Sequence, residues 1–203
     1  MLTDRIETKI VNMKAAKSAN QLILVSASGT RATVIMYQKN SNGTWKKLLS
    51  ASGYVGASGV GQAHEGKSVT PEGAYHILKA FGIKNNPGCP IGYTKVDSTH
   101  YYVAHPTSPY YNKLVSTRTV TNFKRSYGEQ IIRYSPAYNH ILDFDYNPNG
   151  TPYAGSCFFL HCSTGKATGG CISVPETAMV QILKKIQKNC MIVIANGNKV
   201  YNY

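Results

Sequence analysis

The stretch from Phe158 to Ser173 restricts the fold more than any other part of this 203-residue chain. It begins with an apolar run typical of a buried strand and continues through a loop that contains three glycines. A cysteine followed by an aliphatic residue ends it. The pattern predicts a strand that ends at His161, a loop that folds back, and a cysteine, Cys171, at the start of a helix.

This layout is typical of a thiol nucleophile and its base. Cysteine attacks carbonyl carbons as a thiolate, and its ordinary pKa of about 8.5 leaves only a small thiolate fraction at neutral pH. His161, ten residues before Cys171, is the candidate base. Downstream, Ser173 and Glu176 have the spacing of a capping box, or Pro175 takes the first helical position. In either register we expect the partial positive charge of a helix N-terminus to lower the pKa of Cys171.

The glycines suit this chemistry because they permit positive φ and close approach of a substrate to the backbone. The N–H groups of Gly170 and Cys171 are therefore candidate donors to an oxyanion. On spacing alone, a buried cysteine and a hydrogen-bonded histidine with no catalytic role are the more usual case. The group that orients the imidazole is left open between Asp143, Asp145 and a backbone carbonyl.

The segment Thr168–Ile172 reads Thr-Gly-Gly-Cys-Ile, and with His161 at a strand end it resembles the L,D-transpeptidase catalytic domain, the YkuD family. That family's signature places a strand-terminal histidine before Ser/Thr-x-Gly-Cys and an aliphatic residue. Two positions depart from it: many members have histidine where Gly169 stands, and arginine where Ser173 stands. A second imidazole and a carboxylate clamp from those positions are absent here.

Two further elements carry the resemblance, which spans roughly residues 53–195. The segment Thr70–Tyr75 matches the Thr-Pro-x-Gly-x-aromatic element that precedes a strand in this family. The segment Pro106–Asn112 is similar to a Pro-x-Ser-Pro-Tyr-Tyr-Asn element of one branch. His105 stands where relatives commonly have an acidic residue.

The resemblance implies an enzyme, an L,D-transpeptidase that needs no cofactor and no metal. Cys171 would attack a peptidoglycan tetrapeptide stem and form a thioester, with His161 as base and the backbone of Gly169 and Gly170 at the oxyanion. A second stem would supply the acceptor amine, giving a 3-3 cross-link; with water as acceptor the enzyme would be an L,D-carboxypeptidase. The same resemblance implies a secreted protein of the cell wall, from which a leader or anchor has been removed.

Substrate contacts are expected from Thr168, Tyr110, Tyr111 and Arg133. Tyrosines can pack on sugar rings or peptide stems, and arginine binds carboxylates in bidentate fashion. The residues do not decide between Arg133 and the other basic side chains of this region, which are Arg118, Lys124 and Arg125.

The formal net charge is +13, from 22 basic and 9 acidic residues, and it favours anionic partners. No nucleic-acid-binding motif accompanies the scattered lysines, so anionic cell-wall polymers are the expected partners and nucleic acid is not. The rival function is a non-catalytic module that binds wall polymer through a basic, tyrosine-rich surface.

The five cysteines form an odd set without a Cys-x-x-Cys pair, which favours a reactive thiol over a disulfide framework or a zinc site. Cys157 and Cys190 lie in apolar runs and are expected in core strands. No apolar run approaches the roughly 20 residues of a membrane helix.

The fold class predicted is mainly β, sandwich-like or barrel-like, with one clear helix late in the chain. Residues 1–20 are expected to be an N-terminal arm or linker, and residues 21–203 a single catalytic domain. The opening meander should bury one face only, and residues 82–128 should form an irregular lid or binding surface. Strands are expected over residues 21–27, 31–38, 44–49, 74–80, 131–134, 140–146 and 190–195.

Overall fold

Apolar segments bounded by glycine, asparagine and serine form several of the longer strands, such as Gln21–Ser28, Arg31–Lys39, Gly73–Gly82 and Cys190–Asn196, as the sequence predicts. The computed structural model describes residues 2–203, and for residues 2–5 and 7 it describes the backbone alone. The strands in that range are β1 (Gln21–Ser28), β2 (Arg31–Lys39), β3 (Trp45–Tyr54), β4 (Val60–Gly61), β5 (Thr70–Pro71), β6 (Gly73–Gly82), β7 (Thr94–Lys95), β8 (His100–Val103), β9 (Leu114–Ser116), β10 (Gly128–Gln130), β11 (Ile141–Phe144), β12 (Phe159–Cys162), β13 (Ile172–Val174) and β14 (Cys190–Asn196).

Helices are few and lie near the two ends of the chain. The α-helices of the described range are α1 (Leu2–Val11), α2 (Lys14–Ser18) and α3 (Glu176–Lys185). Short 3-10 helices occur at Arg125–Tyr127, Ile131–Arg133, Ala137–Asn139 and Gly197–Asn202.

Eight strands form a closed barrel in the order β11-β12-β13-β3-β2-β1-β14-β6, and β6 pairs back onto β11. The β1–β14 and β12–β13 pairs are parallel, and the other six pairs of the ring are antiparallel. Strand β7 adds to the end of β6 outside the ring. The prediction of a mainly β, barrel-like fold is confirmed.

One buried cluster fills the barrel. It combines side chains from alternate positions of the strands, such as Ile23 and Val25 of β1 and Ile192 and Ile194 of β14, with one stripe of α3. The helix residues of that cluster are Met179, Ile182, Leu183 and, just past the helix end, Ile186. Burial of each such aliphatic side chain contributes about 1.5–3 kcal/mol. The predicted apolar stripe of the late helix is therefore core packing.

The prediction of a one-sided meander is wrong for β1, which is buried on both faces over most of its length. Leu22 and Leu24 point away from the barrel interior into a second cluster, where they meet the N-terminal segment. Within residues 2–20, which were expected to be an arm or linker, α1 and α2 place buried side chains against β1; Met1 lies outside the described residues. These buried side chains are Ile10, Met13, Ala15, Ala16 and Ala19.

Opposite this segment, the outer face of the barrel is covered by residues 96–139, which hold most of the region predicted to be irregular. A three-stranded sheet in the order β10-β8-β9 lies within it. The predicted strand at residues 131–134 is wrong. Ile131 is fully buried but Ile132 is exposed, and the chain turns as a 3-10 helix before Pro136, which has no N–H for a sheet ladder.

Candidate active site

Two neighbouring parallel strands bring Cys171 and His161 to one face of the barrel. His161 lies in β12, and Cys171 directly precedes β13. In the register Leu160 pairs with Ile172, so Cys171 lies beside Phe159. Because side chains alternate along a strand, Phe159, His161 and Cys171 all point to the outer face, under the small sheet.

The predicted helix after Cys171 begins later than expected. Strand β13 comes between, and α3 starts at Glu176 with Pro175 as its N-cap. Neither predicted cap register forms: Ser173 lies in β13, and its hydroxyl is buried without a hydrogen-bond partner. The expected lowering of the Cys171 pKa by a helix N-terminus is therefore wrong.

The environment of Cys171 favours the neutral thiol. Its Sγ donates to the carbonyl of Cys157 at 3.1 Å and accepts the N–H of Phe159 at 3.4 Å. Burial raises the pKa of Cys171, the Phe159 N–H lowers it, and the nearby carboxylates of Glu129 and Asp143 raise it further. A base is therefore needed to make the thiolate.

His161 can supply that base. Its Nδ1 lies 2.9 Å from the carbonyl of Cys162, which can only accept, so Nδ1 carries the proton and Nε2 is the basic nitrogen. Burial lowers the pKa of His161, opposed by the Cys162 and Ala137 carbonyls, so the imidazole is neutral at neutral pH. The ring of Tyr138 packs edge-on against the imidazole, with ring centroids 5.5 Å apart.

Three groups were candidates to orient the imidazole of His161, and of these the backbone carbonyl, that of Cys162, contacts it. Asp143 Oδ2 instead accepts from the Tyr102 hydroxyl at 3.1 Å. Asp145 accepts the backbone N–H of His76 at 2.7 Å. Both carboxylates are therefore bound elsewhere.

A cavity of about 350 Å³ opens at these side chains. Cys171 and His161 line it together with Tyr138 and Glu129. The other lining residues come from 64–68, 104, 156–158 and 168–170. A substrate carbonyl in this cavity would meet the nucleophile and the base on one wall.

Two threonines hold the backbone of Cys171. Thr168 Oγ1 donates to the Cys171 carbonyl at 2.6 Å and accepts the Gly170 N–H at 3.1 Å. Thr70 Oγ1 reaches the same carbonyl at 3.3 Å and accepts the Gly56 N–H at 2.8 Å. The Thr-Pro-x-Gly element thus contacts the cysteine loop directly. The Gly170 N–H, which was predicted to donate to an oxyanion, instead donates to Thr168 within the loop.

Gly170 has no room for a side chain. Its φ is +143°, and a Cβ there would lie 2.6 Å from Cε1 of Phe158 and 3.2 Å from the Val69 carbonyl oxygen. Gly169 differs, because it is exposed, lines the cavity and would accept a Cβ without contact.

Of the predicted substrate contacts, Thr168 lies at the cavity and three do not. Tyr111 is buried behind Glu65, to whose carboxylate its hydroxyl donates. The Tyr110 hydroxyl donates to Asn122 Oδ1 at 2.9 Å, away from the cavity. Arg133 lines a separate cavity.

Two cavity carboxylates were missed by the sequence analysis. Glu129 accepts from the Tyr138 hydroxyl at 2.8 Å, and burial raises its pKa. Glu65 accepts from the Ser156 hydroxyl at 2.9 Å. The one signal in the sequence that could have pointed to them is the small number of acidic residues. The chain has only nine, and two of them line this cavity.

Cys157 was expected in a core strand, and this expectation is wrong. It precedes β12 in the left-handed region, with φ of 59°, and lines the cavity. All five cysteines are free thiols, and Cys190 lies buried in β14 as predicted.

Among the side chains that the structure describes, no group of three or more His, Cys, Asp and Glu is placed to hold a metal ion. Among the described helices, none has the length and apolar character needed to span a membrane.

Comparison with known proteins does not assign this chain to a family. No family model matches the chain, and no curated protein matches it. Among solved structures it is similar to the helical cell shape determining protein Pgp2 from Campylobacter jejuni, with 14% sequence identity and a TM-score of 0.47. That match covers 96% of this chain and 55% of the other, so the chain spans about half the length of the structure it matches. A similarity of this extent carries no weight in assigning a function.

Proposed function

We propose that this protein is a cysteine acyltransferase that acts on peptidoglycan stem peptides, an L,D-transpeptidase. The observation that carries the proposal is the pairing of a thiol and a neutral imidazole in one cavity. Cys171 and His161 line that cavity together, and the Cys162 carbonyl holds the imidazole with Nε2 as its basic nitrogen. The resemblance in sequence supplies the substrate class.

The first half-reaction forms a thioester. His161 Nε2 takes the thiol proton as Sγ of Cys171 attacks the carbonyl carbon that precedes the terminal D-residue of a tetrapeptide stem. The backbone N–H groups of Gly169 and Cys171 are the proposed donors to the oxyanion. Collapse of the tetrahedral intermediate breaks the C–N bond, and the protonated imidazole returns its proton to the leaving amine.

The second half-reaction transfers the acyl group. The nitrogen of the acceptor amine attacks the thioester carbon while His161 Nε2 takes a proton from it. The C–S bond then breaks, and the protonated imidazole returns its proton to Sγ, which regenerates the thiol of Cys171 and the neutral imidazole. Water in place of the amine would give a free carboxylate, which is the carboxypeptidase reaction. Since peptidoglycan lies outside the cytoplasmic membrane, we propose that the protein acts in the cell wall.

Because the pKa of Cys171 is raised, the proposed mechanism starts from the neutral thiol. A thiol that is neutral at rest must lose its proton during attack, so a proton acceptor is needed in the step that forms the thioester. Deprotonated His161 is required, and its lowered pKa keeps that form dominant at neutral pH.

The test is intact-protein mass spectrometry after incubation with a purified disaccharide tetrapeptide. The wild type should gain the mass of an acyl group and release a D-amino acid. Cys171→Ala should gain none, and both Cys171→Ala and His161→Ala should lose at least about 1,000-fold in turnover with an unchanged circular dichroism spectrum.

The matched control is Cys89→Ala, which removes a buried thiol that does not line the cavity. It should keep the adduct and the turnover. Cross-linked dimer as product would identify a transferase, and tripeptide alone a carboxypeptidase. Near-wild-type turnover by Cys171→Ala would end the proposal, and salt-sensitive binding of wall polymer without any adduct would favour the binding module.

A further inference from the structure

A second cavity, of about 450 Å³, lies on the small sheet. Two arginines line it, Arg125 from one 3-10 helix and Arg133 from the next. Strand β10 connects those two helices. The remaining lining residues are Tyr101, Ser126, Gly128, Gln130 and Tyr134.

Strand β10 separates this cavity from the one at Cys171. In its antiparallel ladder with β8, Gln130 pairs with Tyr101, and Glu129 pairs with Tyr102. Residues that face each other across such a ladder point to the same side, and successive residues point to opposite sides. Gln130 and Tyr101 thus face the second cavity, while Glu129 faces the first.

No acidic side chain is among the described residues that line the second cavity. Glu129 is the one acidic residue between positions 98 and 142 of the sequence, and it is turned to the other side. Arg118 of the same region pairs with Asp97 at 2.8 Å. Arg125 and Arg133 form no ion pair with any side chain that the structure describes. Two like charges brought to one cavity repel each other, and an anion between them would remove that repulsion.

The frame that carries the arginines is well fixed. Gln130 Nε2 donates to the Ser98 carbonyl at 2.6 Å, and the ring of Tyr101 packs against Phe123 with centroids 5.4 Å apart. A Cβ on Gly128 would lie 2.9 Å from the Tyr102 carbonyl oxygen, so β10 packs tightly against β8. Arg125 and Arg133 line the cavity beside this edge, and the hydroxyl-bearing rings of Tyr101 and Tyr134 line it with them.

We propose that this cavity is a binding site for a multivalent oxyanion, separate from the Cys171 site. Guanidinium groups bind phosphate and carboxylate oxygens in bidentate fashion, and two of them suit a ligand with two such groups. In an anionic wall polymer these groups are phosphodiesters, and in a peptide stem they are carboxylates. The ligand would sit one strand away from the proposed nucleophile.

The test uses inorganic pyrophosphate and tricarballylate as probes, by isothermal titration calorimetry at an ionic strength of about 50 mM, where screening is weak. The wild type should bind at least one probe. The double variant Arg125→Gln/Arg133→Gln should bind it at least tenfold more weakly.

The matched control is Lys46→Gln/Lys47→Gln, which removes the same two charges from exposed positions on β3. It should change the affinity less than twofold. Tighter binding of pyrophosphate assigns the site to phosphodiesters, tighter binding of tricarballylate assigns it to carboxylates, and equal binding makes it a general oxyanion site.

Equal losses in the two double variants would overturn the proposal, because the effect would then be one of net charge. Absence of binding of either probe by the wild type would also overturn it. The measurement involves no turnover, so its outcome is separate from the fate of the acyltransferase proposal.

Discussion

At the scale of single residues, the sequence identifies Cys171 and His161 as a pair but not the state of the thiol. The glycine loop and the strand before it are local patterns, and they place the two residues near each other. The pKa of the thiol depends instead on burial and on Glu129 and Asp143, which reach it from distant segments. Contacts of that kind leave no signal in the spacing of residues.

Asp143 shows the same dependence on tertiary structure and makes the stability of the protein depend on pH. Burial raises its pKa to about 7, against the attraction of Lys79 and a hydrogen bond from Tyr102. The folded state therefore binds a proton that the unfolded chain, with an ordinary pKa of about 3.9, releases earlier. This contribution to stability is complete below about pH 4 and is lost as the pH rises to 7.

We expect Asp143→Asn to remove that dependence. Urea unfolding at several pH values from 5 to 8 should show that the free energy of unfolding of the wild type falls by about 2–3 kcal/mol relative to the variant. Both the aspartate and the asparagine can accept the Tyr102 hydroxyl, so the comparison isolates the charge. Parallel curves for the two proteins would contradict the assignment.

At the scale of elements, the hydroxyls of Thr70 and Thr168 connect three segments of the chain. Both donate to the Cys171 carbonyl, and Thr70 also accepts from Gly56. The position of Cys171, the proposed nucleophile, thus depends on a residue about one hundred positions earlier. In the sequence, Thr70 is recognisable only as part of the Thr-Pro-x-Gly element, because its contact with the cysteine loop arises only in the folded barrel.

We expect Thr70→Val to lower both stability and turnover. Valine has nearly the same shape but leaves the buried Gly56 N–H without an acceptor, at a cost of about 1–3 kcal/mol in the free energy of unfolding. Turnover should fall by about tenfold or more as Cys171 loses one of its two hydroxyl contacts. Thr177→Val, at an exposed position of α3, is the control and should leave both quantities nearly unchanged. A stable but fully active Thr70→Val protein would show that the contact is dispensable.

Element boundaries could be predicted where the apolar pattern is long. Strands β1, β2, β6 and β14 begin and end within two residues of the predicted positions. The prediction of short segments was less successful. At residues 131–134 two isoleucines indicated a strand, but only one of them is buried and the chain forms a 3-10 helix. The pairing of β12 with β13 was beyond prediction, since nothing in a sequence states which strands lie side by side.

At the scale of the whole molecule, the N-terminal helices are part of the packed structure. Ile10 is fully buried in the cluster that covers the outer faces of β1 and β14. The Ala15 N–H also donates to the Tyr203 carbonyl at 3.3 Å, which joins the two ends of the described chain. The polar composition of residues 1–20 conceals this, because only one narrow side of each helix is apolar.

We expect Ile10→Ala to cost about 2–5 kcal/mol in the free energy of unfolding, as large-to-small changes in a core do. Val11→Ala, at a neighbouring side chain that is 50% exposed, should stay within about 0.5 kcal/mol. Chemical denaturation followed by circular dichroism measures both. A small effect of Ile10→Ala would mean that the helices fray independently of the barrel.

The position of β14 in the ring governs when the protein can fold during synthesis. This strand, the last of the described strands, lies between β1 and β6 and pairs with both. A growing chain therefore presents two unpaired strand edges until residue 196 has left the ribosome, and it cannot close the barrel before then. One edge of β1 pairs with the nearby β2, but on its other edge Gln21–Ala27 pair with residues about 170 positions later, which is the kind of long-range pairing that makes folding slow. Until β14 has been synthesised, the unpaired edges of β1 and β6 expose the nascent chain to aggregation.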